Sequence, residues 1–194
     1  MLSYKDSLKI LKETDALIEG HFILSSGLHS AQYVQCAKLM SKPFKAEIFC
    51  RSLAEKISNE FNQIDLILSP AMGGIIIGYE IGKLLNIETI FSERVNGNFT
   101  LRRGFEILKK KNVLIVEDVI TTGKSSLECS KLILDAGANL IGFACLIDRS
   151  RDLSKLNLKT ISQIKIDIPT YKENELPENL MSIPVTKPGS RDLK

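Results

Sequence analysis

Tryptophan is absent from the 194 residues, histidine occurs only at positions 21 and 29, and the four cysteines contain no CxxC pair. Cys36, Cys50, Cys129 and Cys145 stand 14, 79 and 16 residues apart. That spacing suits neither a zinc site nor a redox dithiol, and reduced, mostly buried thiols are expected. No stretch is apolar for long enough to cross a membrane, and the opening MLSYKDSLKILKETDAL carries charges every few residues where a secretion signal needs an apolar core. A cytoplasmic protein with no membrane partner is expected. Excess charge is also scarce: 26 Lys and Arg against 23 Asp and Glu leave a formal +3, and the basic residues are scattered apart from Lys109, Lys110 and Lys111. A nucleic-acid partner is therefore not indicated, while small anions remain natural ligands.

What is present is ordinary globular material, 44% apolar and 25% charged, in a length that suits one domain with appendages. Leu8, Ile10, Leu11 and Leu17 recur at roughly helical spacing and predict a helix over 3–19 that ends near Gly20. HFILSSGLHSAQYVQC alternates about a Ser-Ser-Gly turn, as two short strands of a small flap or hood would. From Pro43 the pattern is regular: helix 43–61, strand 65–69, helix 74–85, strand 88–92, strand 112–117, helix 124–136 and strand 139–147. Strands alternating with helices, three of them almost wholly apolar, predict an α/β domain with a doubly wound parallel sheet. Residues 93–111 break the repeat and contain Asn96-Gly97, a hairpin signal, so a projecting hairpin or mobile loop is expected there. Four of the six prolines fall at 169, 177, 184 and 188. The division is thus one domain: helix and hood at 1–42, an α/β core at 43–168, and an irregular tail at 169–194 lying over it.

The most informative stretch is VLIVEDVITTGKSS at 113–126. A buried strand delivers Glu117 and Asp118 to the carboxyl edge of the sheet, where open α/β sheets bind ligands. TTGKSS then opens a helix whose free N–H groups favour an anion, with Gly123 permitting close approach and Thr121, Thr122, Ser125 and Ser126 offering hydroxyls. Carboxylates repel a bare phosphate but accept hydrogen bonds from the vicinal hydroxyls of a sugar attached to it, so a ribose 5-phosphate fits. A nucleotide-hydrolysing P-loop needs glycine where Asp118 stands, which excludes that reading. Ordinary helix capping explains a lone acid or a lone Thr-Gly better than it explains the whole set in register. SPAMGGIIIG at 69–78 makes a second glycine-bearing strand-to-helix turn on the same edge. It suits either a tight turn or a second phosphate contact.

The run of four apolar residues, two acids, two variable residues and Thr-Thr-Gly-x-Ser resembles the phosphoribosyl diphosphate signature of type I phosphoribosyltransferases. GHFILSSGLHSAQYVQC, SPAMGGIIIGYEIGKLL, FSERVNGNFTLRRGFEI, CLIDRS and the final KPGSR narrow the resemblance to the orotate phosphoribosyltransferases, over nearly the whole chain. The resemblance implies the type I phosphoribosyltransferase fold and conversion of orotate and phosphoribosyl diphosphate to orotidine 5-monophosphate and pyrophosphate. It implies that Glu117 and Asp118 bind the ribose hydroxyls, Asp118 being also a catalytic candidate, that Thr121, Thr122, Gly123, Lys124 and Ser125 hold the 5-phosphate with Val119 and Ile120 also against the donor, and that Met72 and Gly73 grip pyrophosphate. Thr121 and Arg149 would touch orotate, the guanidinium forking onto its carboxylate. Magnesium (Mg2+) would be carried mainly by the diphosphate, with no protein metal site. Many relatives have a lysine where Ser25 stands and a lysine and histidine in their mobile loop. Here Arg94, Arg102 and Arg103 are the candidate catalytic cations beside pyrophosphate, Arg94 first because it matches the loop's leading basic position. The family resemblance also implies a homodimer in which one subunit's hairpin covers the other's site. Two rivals share the donor motif: a purine phosphoribosyltransferase, and a nucleic-acid-binding regulator of the same fold.

Overall fold

The computed structural model describes residues 1–24, 26–152 and 156–188. In chain order they form α1 (Tyr4–Glu13), β1 (Leu17–Ile23), β2 (His29–Val34), α2 (Cys36–Met40), α3 (Pro43–Glu60), β3 (Leu66–Pro70), α4 (Gly73–Leu85), β4 (Thr89–Val95) and β5 (Asn98–Leu101). There follow β6 (Asn112–Ile120), α5 (Lys124–Asp135), β7 (Asn139–Asp148), β8 (Thr160–Lys165), β9 (Thr170–Tyr171), a 3-10 turn, α6 (Glu178–Met181) and β10 (Val185–Thr186). Among the described residues no helix is long and apolar enough to cross a membrane.

The central sheet runs in the order β5-β4-β3-β6-β7-β8. All its neighbours are parallel except the β4–β5 hairpin. Its residues alternate between two cores, as the pleat requires. Ile67, Leu114, Val116, Ala144 and Leu146 join the α3 and α4 side. Leu66, Leu68, Val113, Ile115, Phe143 and Cys145 join the α5 side. Helices on both faces explain why these strands read as unbroken apolar runs. α4 comes especially close to the sheet through one glycine per turn. A Cβ on Gly74 would meet the Val116 carbonyl at 3.2 Å, one on Gly78 the Ser69 hydroxyl at 2.0 Å, and one on Gly82 the Thr89 hydroxyl at 1.9 Å. This row fixes where the α4 N-terminus lies relative to β6.

The first helix is shorter than its apolar spacing predicts. It ends at Glu13, Thr14 caps it with N–H to the Ile10 carbonyl, and Asp15 turns left-handed at φ 54°. Leu17 is buried from β1 instead. Gly20, the expected helix stop, lies where the β1–β2 register shifts, as glycine in a bulged strand does. The hood is a second sheet, ordered β10-β1-β2-β9, so the tail supplies both of its flanking strands instead of lying irregularly over the core. His21 connects them: its Nε2 is 2.7 Å from His29 Nδ1 and its Nδ1 is 3.1 Å from the Ile183 carbonyl.

The hairpin turns at Asn96 and Gly97, both at positive φ as a two-residue turn of this hand requires. The stretch after it does not project. Ile107 is buried in the α5-side core, and Phe105 meets Phe91 edge-on at 5.2 Å. β8 was not expected, because TISQIK has no apolar run; as the sheet's edge it buries chiefly Gln163 and Ile164. All four cysteines are free and buried. Ile115, fully buried in the strand that carries the acids, tests the core: Ile115→Ala is expected to lower unfolding free energy by about 2–5 kcal/mol, read as a lower urea midpoint at unchanged slope.

Candidate active site

Parallel strands that end together place their following turns on one edge. At that edge Glu117 and Asp118 still belong to β6, paired with β7 up to Ile120 opposite Asp148. Glu117 is 6% exposed and accepts a hydrogen bond at Oε1 from the Ser126 hydroxyl. Burial raises its pKa to about 7; the Ser126 bond opposes that shift, neighbouring Asp118 adds to it, and Arg94 opposes it. Asp118 is less enclosed, yet burial raises its pKa also, against the hydrogen bond that Oδ1 accepts from the Val119 N–H at 2.9 Å. Ile120 is 1% exposed, so its side chain belongs to the core and only its main chain is available at the edge.

The turn from β3 into α4 passes directly over Asp118. A Cβ on Gly73 would lie 2.4 Å from Asp118 Oδ2, so any larger residue there would have to displace that carboxylate. Met72, joined to Ala71 by a cis peptide, is 83% exposed beside it. The expected phosphate turn and the expected ribose acids are therefore in contact. On the other side of Asp118, Thr121 and Thr122 are exposed, and Gly123, at φ 70°, starts α5. Gly123 is held from behind: a Cβ there would meet Leu156 Cδ2 at 2.9 Å. Gly123 gives α5 no side-chain cap; the Lys124 N–H reaches the Thr122 hydroxyl at 3.4 Å, and the amides that follow it in the first turn face outward to an anion. Lys124 is exposed and Ser125 half-buried in that first turn.

Arg149 follows β7 and donates its N–H to the Ile120 carbonyl at 2.8 Å, so Thr121 and Arg149 leave the sheet side by side. The Arg149 Nε is buried without a hydrogen-bond partner among the described residues. Burial lowers the guanidinium pKa, with nearby Tyr33 acting the other way. A buried donor left unpaired beside an exposed threonine is a place prepared for an acceptor on a ligand.

The three hairpin arginines are engaged elsewhere. Arg94 donates to the Gly97 carbonyl at 2.6 Å and to Glu128 of α5 at 2.5 Å, and lies 4.0 Å over the Phe99 ring. Arg103 pairs with Glu93 at 2.6 Å, and Arg102 approaches the same carboxylate at 3.5 Å. Ser25 and the Gly-Ser-Arg of the KPGSR stretch lie outside the described residues.

Residues 44–175 match the family model described as a phosphoribosyl transferase domain. A relative named orotate phosphoribosyltransferase, from Parvibaculum lavamentivorans, is 46% identical over 192 residues, covering 97% of this chain and 99% of its own. The chain belongs to the orotate phosphoribosyltransferase family. Among solved structures, the orotate phosphoribosyltransferase of Aeropyrum pernix superposes with TM-score 0.69 at 22% identity, over 81% of this chain and 92% of that one. The adenine phosphoribosyltransferase of Leishmania tarentolae gives 0.63 at 16%, over 84% and 89%. At such identities the likeness concerns the fold, and the two named bases indicate that the fold alone does not choose the acceptor.

Within this orotate phosphoribosyltransferase family member, sequence reasoning missed Tyr33, Glu93 and Glu128. Tyr33 is an aromatic residue in the alternating flap, packed 5.7 Å from Phe22 and brought to Arg149 by the hood. The two glutamates were unremarkable until the hairpin closed on them. Glu117 yields a pH test. Its acid stays neutral in the fold up to about 7, so between 4.5 and about 7 the folded chain binds more protons than the unfolded one. Stability thus falls as pH rises through that window and levels above it, by up to about 3 kcal/mol. Glu117→Gln is expected to lose this decline and to be the more stable protein at pH above the window. Urea unfolding from acid to mildly alkaline pH reads it, and parallel curves for the two proteins would refute it.

Proposed function

We propose that the chain transfers the 5-phosphoribosyl group of phosphoribosyl diphosphate to orotate, releasing orotidine 5-monophosphate and pyrophosphate, a pentosyltransferase step of pyrimidine biosynthesis. The observation that carries this reading is the meeting, on one sheet edge, of Asp118, Gly73, the start of α5 and an Arg149 guanidinium whose buried Nε has no hydrogen-bond partner among the described residues. Glu117 and Asp118 accept from the ribose hydroxyls. Thr121, Thr122, Gly123, Lys124 and Ser125 hold the 5-phosphate, and Met72 and Gly73 present amides to the pyrophosphate. Arg149 takes the orotate carboxylate beside Thr121, with Tyr33 bordering the base. A guanidinium at that position favours an acidic base over adenine, hypoxanthine or xanthine.

In the reaction the C1–O bond breaks as positive charge builds on the ribose, and the orotate nitrogen enters from the opposite face. No protein nucleophile is needed. The protein contributes orientation, cations beside the departing pyrophosphate, and exclusion of water. Arg94 is fastened at three points. Arg103 donates twice to Glu93 and lies over the Phe91 ring, whereas Arg102 only approaches that carboxylate at 3.5 Å, so Arg102 is the better candidate to swing toward pyrophosphate. Among the described residues no three His, Cys, Asp or Glu come together as a metal site. Magnesium fits this set as an ion whose oxygens come from the diphosphate and water, and it would neutralise the leaving group. The protein's residues hold the diphosphate. We place the activity in the cytoplasm, where reduced thiols such as these four persist.

The functional unit is proposed to be a homodimer. Met72, Ile76 and Tyr79 are 83%, 58% and 66% exposed along one side of α4, and Phe44 and Ile48 are 86% and 49% exposed on α3, which packs against it. Such a face beside the site suits a second copy of the chain. Ile76→Glu should halve the mass seen by sedimentation; a monomeric parent protein would contradict the assignment. For the chemistry, loss of orotate absorbance with donor and magnesium present is the direct assay. Arg149→Ala is expected to cut kcat/KM for orotate about 100-fold with little change in the donor KM, and Asp118→Asn to do the reverse. Equal effects of either substitution on both substrates would show the residues misassigned.

A further inference from the structure

The hydroxyl of Ser126 is completely buried in the first turn of α5, and it is not used to cap that helix. It is given to Oε1 of Glu117, a carboxylate itself 6% exposed on the neighbouring strand. Both partners stand on rigid elements. β6 is held between β3 and β7, and α5 is seated through Gly123 against Leu156. We propose that Ser126 is a positioning residue for the sugar of the donor: it holds Glu117 charged and in one orientation, leaving Oε2 to accept a ribose hydroxyl. This rests on the donor reading of the site.

A carboxylate accepts a hydroxyl at each of its two oxygens when it is ionised, whereas protonation turns one of those oxygens into a donor. The surroundings of Glu117 work against ionisation. Asp118 beside it on β6 is a like charge. Cys129 of α5 and Cys145 of β7 also face it, and burial keeps both thiols neutral. Arg94 of β4 is the opposing charge, but its guanidinium is spent on Glu128 and the Gly97 carbonyl. Ser126 supplies the direct hydrogen bond that favours the charged form. A serine at this place converts an acid disfavoured by its own burial into an acceptor usable near neutral pH.

Two measurements on the full-length protein test this. In protein labelled with 13C at the glutamate carboxyls, the signal lost in Glu117→Gln identifies Glu117 without any substrate present. Its midpoint should lie near the value of about 7 in the parent and rise by about one pH unit in Ser126→Ala, with Ser126→Thr returning it toward the parent. Calorimetric binding of phosphoribosyl diphosphate should then be about tenfold weaker in Ser126→Ala on the acid side of the midpoint and converge with the parent at alkaline pH. In Glu117→Gln the affinity should show no transition in that range. An unmoved midpoint in Ser126→Ala, or donor affinity lost equally at every pH, would overturn the proposal, since simple packing predicts both. Should the parent protein bind no donor at any pH, the proposed function itself fails, and the carboxyl titration distinguishes that case from a faulty Ser126–Glu117 link.

Discussion

Between the backbone of Gly73 and the carboxylate of Asp118 there is no room for one methyl group. That contact sets the rest of the site. It is possible because β3 and β6 are neighbours, and because the glycine row of α4 lets the helix settle onto the sheet with its first residues over the end of β6. Amide donors from one turn and acid acceptors from the next are thereby brought within the span of one small, polar molecule carrying groups of both kinds. A sheet with the same strands and an ordinary alanine-rich α4 would hold the two turns further apart.

The arrangement has an electrostatic cost. Two adjacent acids are placed at the end of a strand whose preceding residues are wholly buried, and both are driven toward their neutral forms. Positive charge is available near them but is arranged in internal pairs. Glu128 and Glu93 each occupy hairpin arginines, and Arg149 keeps an unpaired nitrogen below the surface. Such an edge is poorly satisfied by its own side chains and better satisfied by an anionic, hydroxylated ligand. The two disfavoured acids and the unpaired Arg149 nitrogen thus break local rules of pairing where the ligand is expected.

Much of the architecture was legible. The apolar runs at 66–69, 113–116 and 140–147 announced strands covered on both faces, and Asn96-Gly97 announced its turn. The acids and Thr-Thr-Gly were legible because their chemistry is local, falling within one strand and the helix that follows. What escaped was determined by partners distant in sequence. Leu17 kept helical spacing but was taken by a strand once Asp15 turned the chain. β8 lacked an apolar run because an edge strand is not buried on both sides along its length. Tyr33 and Arg149, 116 positions apart, meet only because the hood folds over the sheet edge. The hairpin arginines read as free cations until Glu93 and Glu128 were seen to hold them.

The hood is finished by the far end of the molecule. β1 and β2 are made early, yet one flank of their sheet is β9 and the other β10, and His21 reaches Ile183 across the same boundary. Until residues 170–186 join it, this sheet has two open edges, so the hood that brings Tyr33 near Arg149 is completed only by strands far along the chain.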